Sequence, residues 1–298
     1  MDVLEGMKAI ASGYQWLRGQ YNPARQLSSR MLKAFEAHGV PRSRINHLLP
    51  ESLRLPVMAW SDPDHLKMVV QQGHIDWLIT RFELQRNWVE GSCQSANTHL
   101  FCYKQPKLLQ EWLVRRAKAD ASSLLRLHVV ISDDYDAQKP HGDFAVVLEV
   151  IPEDGIDDAS CFYHLGEGTN FDHYPSLIHL VQVQAITYCH GAIMWRSTLS
   201  KRALNQLSCN VGVIPSWLGK RRSHRHAADH ELWSHFSGSA PWLTKLRQDA
   251  MDGLHAAGLG EIVERVELDQ ARYLSQSSTP TYGLPSKITR RDDAQRER

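Results

Sequence analysis

The sequence lacks three features that would each point to a class of protein. It contains no run of about 18 consecutive apolar residues, so no membrane-spanning helix is expected. Only five of its 298 residues are cysteines and none forms a Cys-x-x-Cys pair, which excludes a disulfide scaffold and a cysteine-based zinc ribbon. Its formal net charge is only +1, so no field of one sign covers the whole molecule.

The remaining composition is that of a folded, intracellular chain. Hydrophobic residues make up 42% of the sequence, which is enough to build a large core. The first residues, MDVLEGMKAIASG, carry acids and lack the apolar stretch of an export signal. We therefore expect a cytoplasmic protein with reduced thiols and no membrane partner.

The near-zero net charge conceals three charged blocks. Residues 21–54 carry six basic and two acidic side chains, whereas residues 133–173 carry eleven acidic and one basic. A short segment at 220–226, KRRSHRH, is basic again. A phosphate backbone would be attracted to the two basic blocks and repelled by the acidic one, so at least two functional surfaces are indicated.

Apolar residues at spacings of three and four predict a row of helices in the first hundred residues. Asn22-Pro23 and Ser61-Asp62-Pro63 have the residues of a helix start, and Gly39 has the residue type of a helix end. The predicted helices cover about 3–19, 23–38, a short stretch between Pro41 and Pro50, 61–73 and 74–90.

Strand-like apolar runs begin only after residue 120 and are then interleaved with helices. This order is typical of an α+β domain. Helices are predicted at about 105–119, 176–191, 200–209 and 242–274, and strands at 124–132, 143–151, 160–165 and 192–200. The predicted organisation is thus an all-α head (residues 1–95), a mixed α+β body (residues 100–275) and a disordered, highly charged tail (residues 276–298).

The most informative segment is LSSRMLKAFEAHGVPRSRINHLL, residues 27–49. Two helices that cross at a sharp angle need a glycine in the turn and apolar residues on the inner face of the second helix. Gly39 is placed for such a turn, Val40 follows it, and Ile45 and Leu48 lie further along on one face. The segment therefore predicts a helix-turn-helix.

Together with FELQRNWVEG at 82–91, this segment resembles the helix-turn-helix proteins of the lambda-repressor-like, xenobiotic-response-element class. In that class a last helix closes the bundle with apolar residues and a Trp-apolar-x-Gly ending, which here would be Phe82, Leu84, Trp88, Val89 and Gly91. The resemblance covers about residues 3–91. It implies a DNA-binding bundle whose second motif helix enters the major groove.

Base-edge contacts are predicted from the outer side of that second helix. Arginine can grip guanine through two hydrogen bonds, and asparagine can grip adenine in the same way. Arg44, Asn46 and His47 are therefore the candidates for reading bases. The polar residues on this outer side are Arg42, Ser43, Arg44, Asn46 and His47.

Phosphate contacts would position the head on the duplex without specifying its sequence. Arg25, Arg30 and Arg42 are the candidates in the head. The basic block in the body can add further phosphate contacts from Lys220, Arg221, Arg222 and Arg225.

Two alternatives to a DNA-binding regulator remain open from the sequence. The first is a metal-dependent nucleic-acid enzyme, which would use the acids Asp133, Asp134, Asp136 and Asp143 or the segment HRHAADHELWSH at 224–235. The second is a protein-interaction module with a degenerate helix-turn-helix. The four acidic residues are more simply interpreted as part of a hairpin loop. The tripeptide HEL at 230–232 lacks the second histidine of the zinc-protease pattern.

The combined prediction is a transcriptional regulator that binds double-stranded DNA as a homodimer. A single head contacts few phosphates, so useful affinity needs two heads on a two-fold related site. The body would dimerise, sense a small-molecule or protein effector, or do both. No catalytic residues, cofactor or metal are predicted, and the target site and the direction of regulation are left undetermined.

Overall fold

The computed structural model describes residues 22–135, 141–152, 160–218, 226–227 and 241–277. Within these ranges the chain is α+β, with helices in the N-terminal part and one sheet in the C-terminal part. The fold class predicted from the sequence is therefore confirmed at this level. The helix predicted over 3–19 and the predicted tail from residue 278 onward lie outside the described residues.

The described part of the head consists of five α-helices and three 3-10 turns. The longest helices begin at the predicted places. The α-helices are α1 (Pro23–Ala37), α2 (Ile45–Leu48), α3 (Pro63–Leu66), α4 (Gln72–Phe82) and α5 (Arg86–Val89), and the 3-10 turns are Arg42–Arg44, Glu51–Leu53 and Val57–Trp60.

Side-chain caps set two of these helix starts. The Asn22 side chain accepts a hydrogen bond from the Arg25 backbone N–H at 3.0 Å, and proline occupies the first helical position. Asp62 caps α3 in the same way and is also followed by proline. These caps satisfy backbone donors that have no partner inside the helix, which is why Asn-Pro and Asp-Pro predicted the starts.

Two predicted helices are shorter than the apolar spacing indicated. The predicted helix over 61–73 is only one turn of α-helix, and the predicted helix over 74–90 is interrupted at Glu83, which has a left-handed φ of 51°. Leu84 then pairs with Asn97 in an isolated β-bridge. This long-range pairing draws the backbone out of the helix, so periodicity alone could not reveal the break.

An aromatic cluster forms the core of the head. Phe35 lies edge-on to Trp60 and to Phe82, with ring centroids 5.7 and 5.6 Å apart, and stacks on Trp77 at 6.2 Å. Phe35, Trp60 and Phe82 are buried. Edge-on aromatic pairs add stabilisation beyond the area they bury, so this cluster holds α1, α4 and the 57–60 turn together.

The body contains five strands and six helices in the described residues. The strands predicted at 124–132 and 143–151 have those same bounds, and the third extends further than predicted. The elements are α6 (Pro106–Ala119), β1 (Leu124–Ser132), β2 (Asp143–Ile151), β3 (Cys161–Asn170), α7 (Tyr174–Cys189), β4 (Ile193–Leu199), α8 (Lys201–Ser208), α9 (Ile214–Leu218), β5 (His226–Ala227), α10 (Pro241–Ala256) and α11 (Gly260–Ser277).

The strands form one sheet in the order β3-β2-β1-β4-β5. β1, β2 and β3 are an antiparallel meander, with His128 opposite Val147 and Leu148 opposite Tyr163. β4 lies parallel to β1, with His128 opposite Trp195. A parallel neighbour requires a crossover connection, which α7 supplies.

The first face of the sheet packs on a layer of helices. Leu127 of β1 and Leu148 of β2 point into this layer, which contains α6, α7, α10 and α11. Ten residues of α7 are buried, because this helix lies between the sheet and the outer helices. Among the described residues, no helix has both the length and the apolarity needed to cross a membrane.

The second face of the sheet is covered by shorter helices. Val130, Ala145 and Phe162 point to this side and form a smaller cluster with Leu204 of α8 and Ile214 of α9. Alternate residues of each strand thus have separate cores, as the pleat requires.

The head and the body share buried contacts. Val213, which precedes α9, is fully buried in the core of the head. His38, at the end of α1, stacks on Phe82 at 4.1 Å and lies 6.0 Å from Phe162 of β3. The head is therefore packed directly on the second face of the sheet.

The aromatic cluster predicts the effect of a core truncation. Phe35→Ala should lower the free energy of unfolding by about 3–5 kcal/mol, because it leaves a cavity among three aromatic rings. Met68→Ala should change it by less than about 0.5 kcal/mol, because Met68 is 77% exposed. Urea unfolding followed by tryptophan fluorescence would measure both, and equal effects would contradict this description of the core.

The contact between head and body predicts reduced stability in acid. Burial lowers the pKa of His38 to about 4, against an ordinary value near 6.5. Between these values the unfolded chain binds a proton that the folded chain does not. The free energy of unfolding should therefore fall as the pH drops from about 6.5 to 4, by on the order of 3 kcal/mol for this residue.

Urea unfolding of a His38→Gln variant across this pH range would test the effect. The variant should show a shallower dependence on pH than the original protein. It should keep part of the slope, because burial also lowers the pKa of His164 to about 4. The exposed His47→Gln is the control, and identical slopes for the two variants would refute the assignment.

Candidate nucleic-acid interface

The turn between α1 and the following segment has the geometry of a helix C-cap. Gly39 has a φ of 77°, which favours glycine, and its N–H donates to the Glu36 carbonyl. The Val40 N–H donates to the Phe35 carbonyl at 2.9 Å. These two bonds form a Schellman motif, and the Val40 side chain enters the core beside Phe35.

The segment after the turn buries its apolar side and exposes its polar side. Ile45 and Leu49 are buried, and Leu48 is half-buried. Ser43 and Arg44 are exposed on the other side. The predicted division into an inner and an outer side therefore agrees with the observed burial.

The segment is much shorter than a typical groove-reading helix. It consists of the 3-10 turn Arg42–Arg44 followed by the single α-turn Ile45–Leu48. Four α-helical residues span only about 6 Å. Leu49 adopts an extended conformation, as is favoured before Pro50, and this ends the helix.

Asn46, predicted to read a base, makes its hydrogen bonds within the protein. Its Nδ2 donates to the Leu55 carbonyl at 2.6 Å, and its Oδ1 accepts from the Leu55 N–H at 3.2 Å and from Trp60 Nε1 at 2.9 Å. Both ends of the amide are engaged. We therefore assign Asn46 to holding residues 51–60 against α2 rather than to contacting adenine.

Arg30, predicted to contact a phosphate, also bonds internally. Its Nη1 donates to the carbonyls of Trp88 and Cys93, and its guanidinium lies 5.5 Å from the centre of the Trp88 ring. Burial lowers the pKa of this guanidinium. Arg30 thus ties α1 to the end of the head, and we assign it a structural role.

The other two predicted phosphate contacts are ion-paired but closer to solvent. Arg25 Nε lies 3.2 Å from the Asp64 carboxylate, which joins α1 to α3. Arg42 Nε lies 2.7 Å from Glu36, and its Nη1 donates to the Ser61 carbonyl. An ion pair this close to solvent is weak, so Arg42 can turn toward a phosphate at little cost.

Four polar residues of the head are exposed on or close to this segment. Ser43, Arg44 and His47 are exposed on the segment, and Arg54 is exposed nearby. The hydrogen bonds from Asn46 to Leu55 hold Arg54 close to the segment. Arg54 was not predicted as a site residue, and only the excess of basic residues in 21–54 pointed to it. We call these four residues the basic ridge.

The basic block of the body falls outside the described residues. This applies to Lys220, Arg221, Arg222 and Arg225, which were predicted as further phosphate contacts, and the structure does not place them relative to the basic ridge.

The predicted metal-site alternatives find no grouped ligands in the described part of the chain. Asp134 pairs with Lys201 at 2.6 Å, and hydrogen bonds from Lys201 and Ser132 lower the pKa of Asp134 to about 2. Asp143 accepts a hydrogen bond from Asn170. No three His, Cys, Asp or Glu side chains among the described residues could hold a metal ion together. Most of the residues proposed for that metal site lie outside the described residues. These are Asp136, His224, Asp229, His230, Glu231 and His235.

The candidate site rests on the residues of this chain alone. Comparisons with protein-family models, with curated proteins and with solved structures found no match. The likeness to xenobiotic-response-element proteins therefore remains a likeness of short motifs. The exposed side chains of the basic ridge are therefore the structural basis for a function of the head.

The contacts of Asn46 give a test of its structural role. Asn46→Ala should lower the free energy of unfolding by about 1–3 kcal/mol, because it leaves the Leu55 and Trp60 N–H groups without their acceptor. Ser43→Ala on the same segment is the control and should stay within about 0.5 kcal/mol. Urea unfolding would measure both, and an Asn46→Ala protein of unchanged stability would refute the role.

Proposed function

We propose that this protein is a sequence-specific DNA-binding regulator that contacts the duplex through the basic ridge. The observation that supports this best is the Schellman turn at Gly39, which anchors the 40–49 segment by Val40 and Ile45 and leaves its polar side exposed. A polar ridge on a fixed support is what major-groove recognition requires.

The proposed contacts follow from the side chains that remain exposed. Arg44 is the candidate for a two-bond contact to guanine, with His47 and Ser43 beside it. Arg42 and Arg54 are the candidates for phosphate contacts. Because the segment is short, base reading would be confined to two or three adjacent base pairs in each half-site.

A homodimer completes the proposal. One ridge neutralises only a few phosphates, and affinity at physiological salt grows with the number of phosphates contacted. Two copies on a two-fold related site double that number. The body would supply the dimer contact or a sensor without catalysing a reaction, and the protein would act in the cytoplasm.

A protein-interaction module is the second candidate, favoured by exposed apolar side chains in the head. Val57 and Met58 are each 66% exposed, and Met68 and Val69 are also exposed in the turn after α3. Large apolar side chains grouped in this way are typical of partner-binding surfaces. This candidate predicts that partner binding depends on Met58 and Met68 and not on Arg44.

Selection of bound duplexes from a random pool, followed by fluorescence anisotropy on the selected duplex, would test DNA binding. The double variant Arg44→Gln/His47→Gln should weaken binding at least about tenfold, because it removes a base contact and a cation from the ridge. Arg54→Gln should instead make the dependence of log affinity on log salt shallower by about one unit, because Arg54 is a candidate for a phosphate contact.

Arg115→Gln, an exposed position on α6, is the matched control for the removal of a positive charge and should bind as the original protein does. A pool that yields no enriched duplex would contradict the proposal. So would a double variant that binds as tightly as the control. If the double variant Met58→Ala/Met68→Ala instead abolished binding to a partner protein, the function as a protein-interaction module would be supported in place of DNA binding.

A further inference from the structure

One end of the second face of the sheet is not covered by α8 and α9. Leu124 of β1 and Ile193 of β4, whose side chains point to this face, are 58% and 51% exposed. The helices pack further along, on Val130 and Leu199. The part of this face beyond α8 and α9 carries a polar cluster formed by Arg126, His128, Glu149 and Trp195.

The cluster is built on three adjacent strands. His128 Nε2 lies 2.9 Å from Glu149 Oε2, and Arg126 Nη1 lies 3.5 Å from the same oxygen. The Arg126 guanidinium also lies 4.5 Å from the centre of the Trp195 ring. Cross-strand pairing sets this geometry, since Arg126 is directly opposite Glu149 and His128 is directly opposite Trp195.

Glu149 is an ionised acceptor in this cluster. Burial is the largest influence and opposes ionisation, but hydrogen bonds from His128 and Ser160 and the charge of Arg126 together hold the pKa of Glu149 below its ordinary value. An ionised carboxylate only accepts hydrogen bonds, so His128 Nε2 carries the proton and donates it. The Nδ1 atom of the same ring remains available to a further group.

Three polar atoms on this face are buried without a hydrogen-bond partner in the described part of the chain. They are Arg126 Nε, His128 Nδ1 and Ser197 Oγ, and both His128 and Ser197 are more than nine-tenths buried. Ser197 follows Trp195 on the same side of β4. An unmade buried hydrogen bond is costly, and an arginine N–H can be satisfied only by an acceptor.

We propose that this end of the sheet is a binding site for a small organic carboxylate with an apolar body. The carboxylate accepts from Arg126 Nε and lies beside His128, and the apolar body rests on Leu124, Ile193 and the Trp195 ring. The inference does not rest on DNA binding, because the basic ridge lies in the head and this site lies in the body.

The charges of the cluster favour a carboxylate over a phosphate. The charges of Arg126 and Glu149 already balance. A carboxylate adds one negative charge beside the buried Glu149, whereas a phosphate dianion adds two and is therefore less favourable. Apolar exposed neighbours also suit an organic molecule and not an inorganic ion.

Isothermal titration of the full chain with hexanoate, hexanamide and inorganic phosphate would test the proposal. Hexanoate should bind, and hexanamide, which has the same chain without the charge, should bind at least about tenfold more weakly. Arg126→Gln should weaken hexanoate binding by a similar factor. Arg115→Gln on α6 removes the same charge elsewhere and should bind as the original protein does.

A second variant guards against disruption of the fold. Ile193→Asp places a carboxylate at the exposed apolar edge of the site, directly opposite Arg126, and it should also weaken hexanoate binding while circular dichroism stays unchanged. The proposal is overturned if hexanoate does not bind. It is equally overturned if hexanamide or phosphate binds as well as hexanoate, or if Arg126→Gln binds as the control does.

Discussion

The buried amide of Asn97 determines how the two parts of this molecule fit together. Its Oδ1 accepts from the Ile214 N–H at 2.7 Å, and its Nδ2 donates to the Phe162 carbonyl. Its own carbonyl accepts from the Gln85 and Asn210 side chains. One fully buried residue therefore joins the end of the head, an edge strand of the sheet and the start of α9. Breaking such a network leaves several buried groups unsatisfied, so the alignment of the head on the body is strongly specified.

This alignment decides which surfaces remain available for function. The head covers one part of the second face of the sheet, through His38 beside Phe162. α8 and α9 cover another part, and Leu124 at the end of this face is exposed. The basic ridge lies in the head, between residues 43 and 54, and is not part of the sheet. The molecule thus has two chemically distinct surfaces, one cationic in the head and one amphipathic in the body, and the two proposals made above use one surface each.

Polar residue types in the head did not show which side chains make hydrogen bonds within the protein. Asn46 and Arg30 have the side chains of a base reader and a phosphate contact, yet both direct their hydrogen bonds to backbone groups of irregular segments. The reason is general: the head has short helices joined by irregular segments, and such segments leave backbone N–H and C=O groups that need partners. Side chains with several donors or acceptors, such as Asn46 and Arg30, form the hydrogen bonds that these backbone groups require.

The local pattern of the sequence determined the elements of this protein. Caps at Asn22 and Asp62, the turn at Gly39 and the apolar runs of β1 and β2 were all predicted from neighbouring residues, because each depends on interactions within a few positions of the chain. The tertiary structure alone decided that Glu83 breaks a helix, that Asn46 is held by Leu55 and that Arg126, His128, Glu149 and Trp195 meet on three strands. Those outcomes depend on strand order and on contacts between distant residues, and neither leaves a periodic trace along the chain.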